Sequence, residues 1–168
     1  HKRVGENETG LNTGGMGAYS PAPIINKNLE KKIIKKIVKP TLLALKSKNH
    51  PYTGFLYVGL MIKEMEPYLI EYNVRMGDPE CQVILPRLKT DLVQLINASV
   101  NNQLNKIKIR WKKDKCMTIV ICAKGYPNKQ IVHKKIDLKK NILDKNSFIF
   151  HAGTKIKDGI LFSNGACC

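Results

Sequence analysis

Glu71, Asn73 and Arg75 stand at alternate positions in the stretch Tyr68–Glu80, YLIEYNVRMGDPE. A strand sends successive side chains to opposite faces, so these three share one face at steps of roughly 7 Å, and Tyr68, Ile70, Tyr72 and Val74 share the other. A carboxylate and an amide oxygen at that spacing can share a hard cation such as Mg²⁺. An arginine one step on can fork onto a phosphate oxygen of the same ligand. The plain alternative is a solvated strand face above an apolar face that packs on a core. The loop that follows, Met76-Gly77-Asp78-Pro79-Glu80, offers a glycine for a sharp turn. Asp78-Pro79 reads as a helix N-cap with proline at the first helical position, and Glu80 falls in the first turn. Those roles are structural and sufficient. Even so, the chain has only 13 acidic residues, and Glu71, Asp78 and Glu80 fall within ten positions of one another.

A second candidate lies upstream. Gly5, Gly10, Gly14, Gly15 and Gly17 sit among Asn, Thr and Ser in residues 1–23, which read as one long loop. The stretch Thr13, Gly14, Gly15, Met16 and Gly17 can wrap an anion in backbone amides, because no Cβ obstructs the approach. It is not a Walker A sequence, since no Gly-Lys-Ser/Thr follows. A surface connector is the alternative.

Elements that would carry these residues follow from periodicity. Leu29, Ile33, Ile34, Ile37, Val38, Leu42 and Leu45 predict a helix over 28–48, kinked or split by Pro40 near Val38 and Lys39. Residues 54–63 predict a strand. With the turn at 63–67 and the return strand from Tyr68, they predict a hairpin with a loop of three to five residues. Thr90-Asp91 predicts a capped helix reaching about Leu104. Residues 117–123 read as a buried strand ended by Gly125-Tyr126-Pro127, and 147–152 as another strand.

Composition narrows the classes. The 168 residues are 43% hydrophobic with net charge +16. No apolar run approaches the ~18 residues needed to cross a bilayer, and there is no secretory signal pattern, so no membrane partner is expected. Lysines are scattered: five between Lys31 and Lys39, then Lys112, Lys113 and Lys115, then Lys134, Lys135, Lys139 and Lys140. No aromatics interleave with them as a base-stacking surface requires, so no specific nucleic-acid partner is expected. Non-specific attraction to polyanions follows from the charge itself. Five cysteines, Cys81, Cys116, Cys122, Cys167 and Cys168, make no CxxC pair and no metal spacing with the histidines. That pattern points to a reducing compartment, and we expect a cytoplasmic protein. His133 and His151 lack acidic neighbours and read as structural or exposed.

HKRVG, NTGGMGAYSPAP, GFLYVGLMI, IEYNVRMGDPE, GYP and FHAGT, in this order and spacing, resemble the phosphoribosylamine–glycine ligases of the ATP-grasp family. The resemblance runs from His1 to about Gly165. It implies an α+β chain: residues 1–104 as the C-terminal part of an ATP-grasp domain with an antiparallel sheet and helices, then residues 105–168 as a small, truncated β-rich domain. It also implies an enzyme of purine synthesis that joins glycine to 5-phosphoribosylamine with ATP, through a glycyl phosphate, acting as a monomer when full length. Glu71 and Asn73 would hold Mg²⁺ or Mn²⁺ on the ATP phosphates. Arg75 would sit at the transferring phosphoryl group, and residues 13–17 would close over the intermediate. Leu11, Tyr72, Val74, Met76 and Cys81 depart from the family's commoner Pro, Phe, Cys, Phe and Thr and leave the three polar residues intact. The chain begins at His1 rather than Met and ends in Ala166-Cys167-Cys168, where the family continues with a further strand. We therefore expect a C-terminal half, incomplete at both ends and inactive alone. Two other readings are a basic polyanion-binding protein and a non-catalytic remnant of the ligase.

Overall fold

The computed structural model describes residues 2–129, 131–138 and 144–165. The endpoints His1 and Ala166–Cys168, like Lys139 and Lys140, lie outside the described residues. The chain forms two compact units: residues 19–116, and residues 1–18 together with 117–168. This grouping differs from the expected organisation at 1–104 and 105–168, because the glycine-rich start of the chain clusters with its end.

In the 19–116 unit, Asn26 starts α1 (Lys27–Ile33) by accepting from the amides of Asn28 and Leu29 at 3.0 and 2.9 Å. A cap of this kind is worth about 1 kcal/mol. Leu29, 1% exposed, is the buried anchor of the helix. Helical backbone continues through a π-helical stretch (Ile34–Val38) into α2 (Lys39–Ser47), with Pro40 in its first turn. The expected kink or split at Pro40 is instead a wide turn. Proline brings no N–H, and the π-helical step absorbs the missing bond without leaving helical space. Asn49, at φ 61, ends α2 in a Schellman motif: His50 N–H donates to the Leu45 carbonyl at 3.0 Å and Asn49 N–H to that of Lys46 at 3.1 Å.

β2 (Tyr57–Lys63) and β3 (Glu66–Asn73) form the hairpin. Its loop has two residues, not three to five. Glu64 and Met65 lie at φ 52 and 60, the geometry of a type I′ turn, whose twist matches that of the strands. Glu66 anchors the hairpin to the helix by ion pairs with Lys32 at 2.5 Å and Lys36 at 2.9 Å. Tyr72 reaches α2 through the Thr41 hydroxyl.

Farther on, α3 (Cys81–Ile84) buries Val83, and α4 (Leu92–Val100) is capped by Asp91, which accepts from Gln94 N–H at 2.8 Å. α4 stops at Val100 rather than near Leu104. Asn102 enters the left-handed region at φ 55, and Gln103 N–H closes on the Ala98 carbonyl at 2.7 Å. The Arg87 guanidinium donates to Ser20 Oγ and to the carbonyls of Lys112 and Asp114, tying both ends of this unit to its middle.

In the other unit, residues 2–13 are not one loop. Val4 N–H donates to the Leu11 carbonyl and Thr13 N–H to that of Lys2, folding the segment into a small antiparallel turn. β1 (Gly17–Ser20) and β4 (Cys116–Ile119), whose first and last residues respectively belong to this unit, pair with each other. Within this unit Gly17 lies against the Thr118 carbonyl, only 2.8 Å from where a Cβ would stand. The strand expected at 117–123 is short, and Met117, Ile119 and Ile121 are exposed, not buried. No strand forms over 147–152. Asp144 instead takes the Asn146 amide and the Ser147 hydroxyl into a local turn. The pairing falls to β5 (Thr154–Lys157) and β6 (Ile160–Ser163), joined by Asp158-Gly159. Ser163 is buried and fixes the segment before it, accepting from Lys134 N–H at 3.0 Å. Among the described residues no helix is long and apolar enough to cross a membrane.

Candidate functional site

β2 places Tyr57 and Gly59, and β3 places Asn73 and Glu71 opposite them, in the pairs Tyr57↔Asn73 and Gly59↔Glu71. The glycine is required there. A Cβ on Gly59 would stand 2.9 Å from Cγ of Glu71. Beyond this point the register slips: Gly59 pairs with Glu71 but Leu60 with Leu69, so Ile70 is the extra residue of a β-bulge. The expected unbroken alternation from Tyr68 to Arg75 is thus interrupted at Ile70. It also stops at Asn73, and Val74 and Arg75 belong to the loop. Bulges re-aim side chains beside sites in this way. The apolar face does not pack on a core as expected: Tyr68, Ile70 and Val74 are 55%, 59% and 77% exposed.

The loop folds back on the strand. Glu80 precedes α3, and its carboxylate accepts a hydrogen bond from the Tyr57 hydroxyl at 3.2 Å. Gly77 is buried between these two groups. A Cβ there would fall within 2.2 Å of Glu80 Oε2 and 2.6 Å of the Tyr57 ring. Asp78 is not the cap of a helix starting at Pro79. α3 begins at Cys81, and Asp78 accepts instead from Gln82 Nε2 at 2.9 Å. Arg75 donates to the Met76 carbonyl at 2.9 Å. Partial burial pushes the Tyr57 phenol up to about 12. The Glu80 charge and its hydrogen bond, then the Glu71 charge, add to the rise, and Arg75 opposes it. Tyr57 therefore feels Glu71, Arg75 and Glu80 together. It was missed from sequence because it reads as one more β-forming aromatic in an apolar strand.

Glu71 and Asn73 offer two hard oxygen donors with an arginine nearby, a partial set for a cation that keeps waters and takes its other ligands from phosphate. Among the described residues no group of three or more His, Cys, Asp or Glu forms a cage of its own. The donor chemistry fits a nucleotide-bridged Mg²⁺ or Mn²⁺ and does not fit a free structural metal.

The glycine-rich stretch is ordered by hydroxyls. Thr13, 8% exposed, donates its hydroxyl to the Lys2 carbonyl at 2.7 Å and accepts from Gly15 N–H at 3.1 Å. Gly14 N–H donates to the Tyr126 hydroxyl at 3.1 Å. Gly15 sits at φ 132, where a side chain is strained. The expected open cradle of amides is thus filled by two hydroxyl oxygens. Tyr126, read from sequence only as part of a strand-ending turn, is the partner that spacing could not supply.

Comparison with known proteins places these features in a class. Residues 1–81 match the family "Phosphoribosylglycinamide synthetase, ATP-grasp (A) domain". The chain is 45% identical over 165 residues to a phosphoribosylamine–glycine ligase of Mesorhizobium japonicum, covering 98% of this chain and 39% of that protein. It is 46% identical over 167 residues to the bifunctional purine biosynthetic protein PUR2,5 of Pichia angusta, covering 21% of it. The crystal structure of the phosphoribosylamine–glycine ligase of Thermotoga maritima superposes with a TM-score of 0.83 at 34% identity, over 99% of this chain and 40% of that one. The fold is α+β and of the ATP-grasp class. Within that class residues 1–81 are similar to the phosphoribosylglycinamide synthetases, and the chain spans about two fifths of the length of the curated ligases it matches.

Proposed function

We infer that this chain is the part of an ATP-dependent ligase that handles phosphate and metal while glycine is joined to 5-phosphoribosylamine. The observation that carries the reading is the pairing of Glu71 and Asn73 with Gly59 and Tyr57 across one hairpin, in a chain related to these ligases over 98% of its length. ATP would phosphorylate the glycine carboxylate, the amine of phosphoribosylamine would displace the phosphate, and ADP and phosphate would leave. Phosphoryl transfer of this kind relies on positioning and charge neutralisation, so it calls for metal ligands and cations rather than a nucleophilic side chain.

Each residue then has a role. Glu71 and Asn73 would hold Mg²⁺ or Mn²⁺, which neutralises the ATP phosphates when bound. Arg75 would meet the oxygens of the transferring phosphoryl group. The Gly14 and Gly15 amides, engaged by neutral hydroxyls, would turn to an anionic oxygen, a stronger acceptor. Closing residues 13–17 over an acyl phosphate would keep water from it. The adenine pocket and the rest of the phosphate grip would come from the other three fifths of such an enzyme, so we expect no ligation by the 168 residues alone.

A chimera tests this. When the chain replaces the matching stretch of the Mesorhizobium ligase, ADP formation should depend on both glycine and phosphoribosylamine. Glu71→Gln should lower its kcat by about a hundredfold, as removal of a phosphate-clamping group does. A folded chimera whose turnover ignores Glu71→Gln would overturn the assignment. The +16 charge favours a second property, loose attraction to polyanions. It should show a steep salt dependence and no sequence preference.

A further inference from the structure

Two glycines flank one aromatic ring in the β2–β3 hairpin. On one side a Cβ at Gly59 would stand 3.5 Å from Cε1 of Tyr57 and 2.9 Å from the Glu71 side chain. On the other, a Cβ at Gly77 would stand 2.6 Å from Cε2 of Tyr57 and 2.2 Å from Glu80. The ring is a wedge between the strand that carries Glu71 and Asn73 and the loop that carries Arg75. Its hydroxyl completes the wedge by donating to Glu80 Oε1 at 3.2 Å. Glu80 in turn begins the turn of helix whose first closing bonds run from Cys81 N–H to the Gly77 carbonyl and from Val83 N–H to the Glu80 carbonyl. Among the described residues the side chains of the loop from Val74 to Asp78 bond locally: Arg75 donates to the neighbouring Met76 carbonyl, and Asp78 accepts from Gln82, four residues along.

We propose that Tyr57 is a positioning residue: its ring and its hydroxyl on Glu80 fix the Arg75 loop in place relative to Glu71 and Asn73. The proposal rests on the metal- and phosphate-handling reading above for its purpose, though not for its geometry. Tyr57 touches no substrate in this account. It sets the separation between the carboxylate that would hold the cation and the arginine that would meet the phosphoryl oxygens. A rate set by positioning is sensitive to displacements of about 1 Å, so a hydroxyl that contacts nothing reactive can still govern it.

The test is backbone ¹⁵N relaxation on the 168-residue chain, alone and with Mn²⁺ as a paramagnetic probe. In the unaltered chain the Arg75 and Met76 amides should have order parameters near 0.85, and in Tyr57→Phe they should fall below about 0.6. The amides of Met61 and Tyr68 should not change. Glu80→Gln keeps an acceptor for the phenol and should stay like the unaltered chain. Glu80→Ala removes the same bond from its other end and should match Tyr57→Phe; it supplies the reading if Tyr57→Phe does not fold. Mn²⁺ should broaden Glu71, Asn73 and Arg75 together in the unaltered chain. Unchanged order at Arg75 and Met76 in Tyr57→Phe or Glu80→Ala would overturn the proposal. If Mn²⁺ broadens none of the three while the order still falls, the positioning stands and the metal reading fails.

Discussion

Two tight hairpins among the described residues have the same turn and opposite origins. β5–β6 closes through Asp158 and Gly159 at φ 50 and 74; β2–β3 closes through Glu64 and Met65 at φ 52 and 60. Both are two-residue turns with left-handed backbone at both central positions. Asp-Gly favours that geometry by itself, so the turn can set the pairing of the four-residue strands beside it. Glu-Met does not. There the longer ladder, the ion pairs of Glu66 with two helical lysines and the contact from Tyr72 to Thr41 impose the turn on residues that resist it. The difference shows where the fold spends its restraints. The hairpin that carries Glu71 and Asn73 is tied to helical side chains and bulged at Ile70; the one that carries no candidate residue has a turn that suits its own geometry and backbone bonds from residues 133–136 along β6.

Glycine substitutions should separate the two most strongly. Gly59→Val drives a branched side chain into Glu71, and overpacking of this kind costs up to about 3 kcal/mol. At Gly159 nothing stands within 4 Å of a new Cβ, so Gly159→Ala meets only the backbone penalty of positive φ, about 1–2 kcal/mol. Urea unfolding measures both. A larger loss at Gly159 would mean that the turn, not the site, is the more constrained of the two.

Exchanging turn chemistry is the next largest effect. Met65→Gly should stabilise the chain by up to about 1 kcal/mol, since the glycine accepts the left-handed backbone without strain. The same urea midpoints report it. No gain would mean that Met65 makes a compensating contact.

Some of this was legible beforehand and some could not be. The helix starts at Asn26 and Asp91 have side-chain oxygens at the right offsets, and the Asp91 cap was read correctly. Asn49 and Asn102 end α2 and α4 in left-handed backbone, a stop signal that competes at Asn101-Asn102 with the apolar pattern reaching Leu104. Asp158-Gly159 is likewise a plain hairpin signal, but the β-forming residues Phe148, Ile149 and Phe150 outweigh it in a reading by propensity alone. The Ile70 bulge had no such signal: it arises from pairing with β2, and a strict period of two cannot show an inserted residue. The partners of the site residues, Tyr57 to Glu80 and Tyr126 to Gly14, join positions far apart in sequence and only the fold brings them together. Glu71, Asn73 and Arg75 were legible as a group because alternate polar residues interrupted an otherwise apolar strand.

Titrations sharpen the comparison at smaller scale. The Tyr57 phenol is raised to about 12, above the ordinary tyrosine value, so its neutral form is the one the fold favours. That contribution is complete below pH 10 and is lost as the pH rises towards 12. Ultraviolet titration should show one tyrosine ionising late, and Tyr57→Phe should remove that late step. At the acid end, hydrogen bonds from Lys32 and Lys36 hold the Glu66 carboxyl below the ordinary glutamate range. Its contribution is present above the unfolded glutamate pKa and is lost as the pH falls through the lower folded one. Because the Glu66 side chain is only half-buried and solvent screens its ion pairs, this should be the smallest effect. Glu66→Gln should flatten the acid limb of the stability profile, and raised salt should do the same.

Glu71 and Asn73 are proposed to hold a divalent cation together. Mn²⁺ titration of the unaltered chain and of Glu71→Gln with ATP present, followed by the broadening of backbone amides, is the test. The unaltered chain should broaden first and most at Glu71, Asn73 and their cross-strand partners Gly59 and Tyr57, excess Mg²⁺ should reverse it, and Glu71→Gln should abolish it. Broadening centred on any other carboxylate, or unchanged in Glu71→Gln, would contradict it.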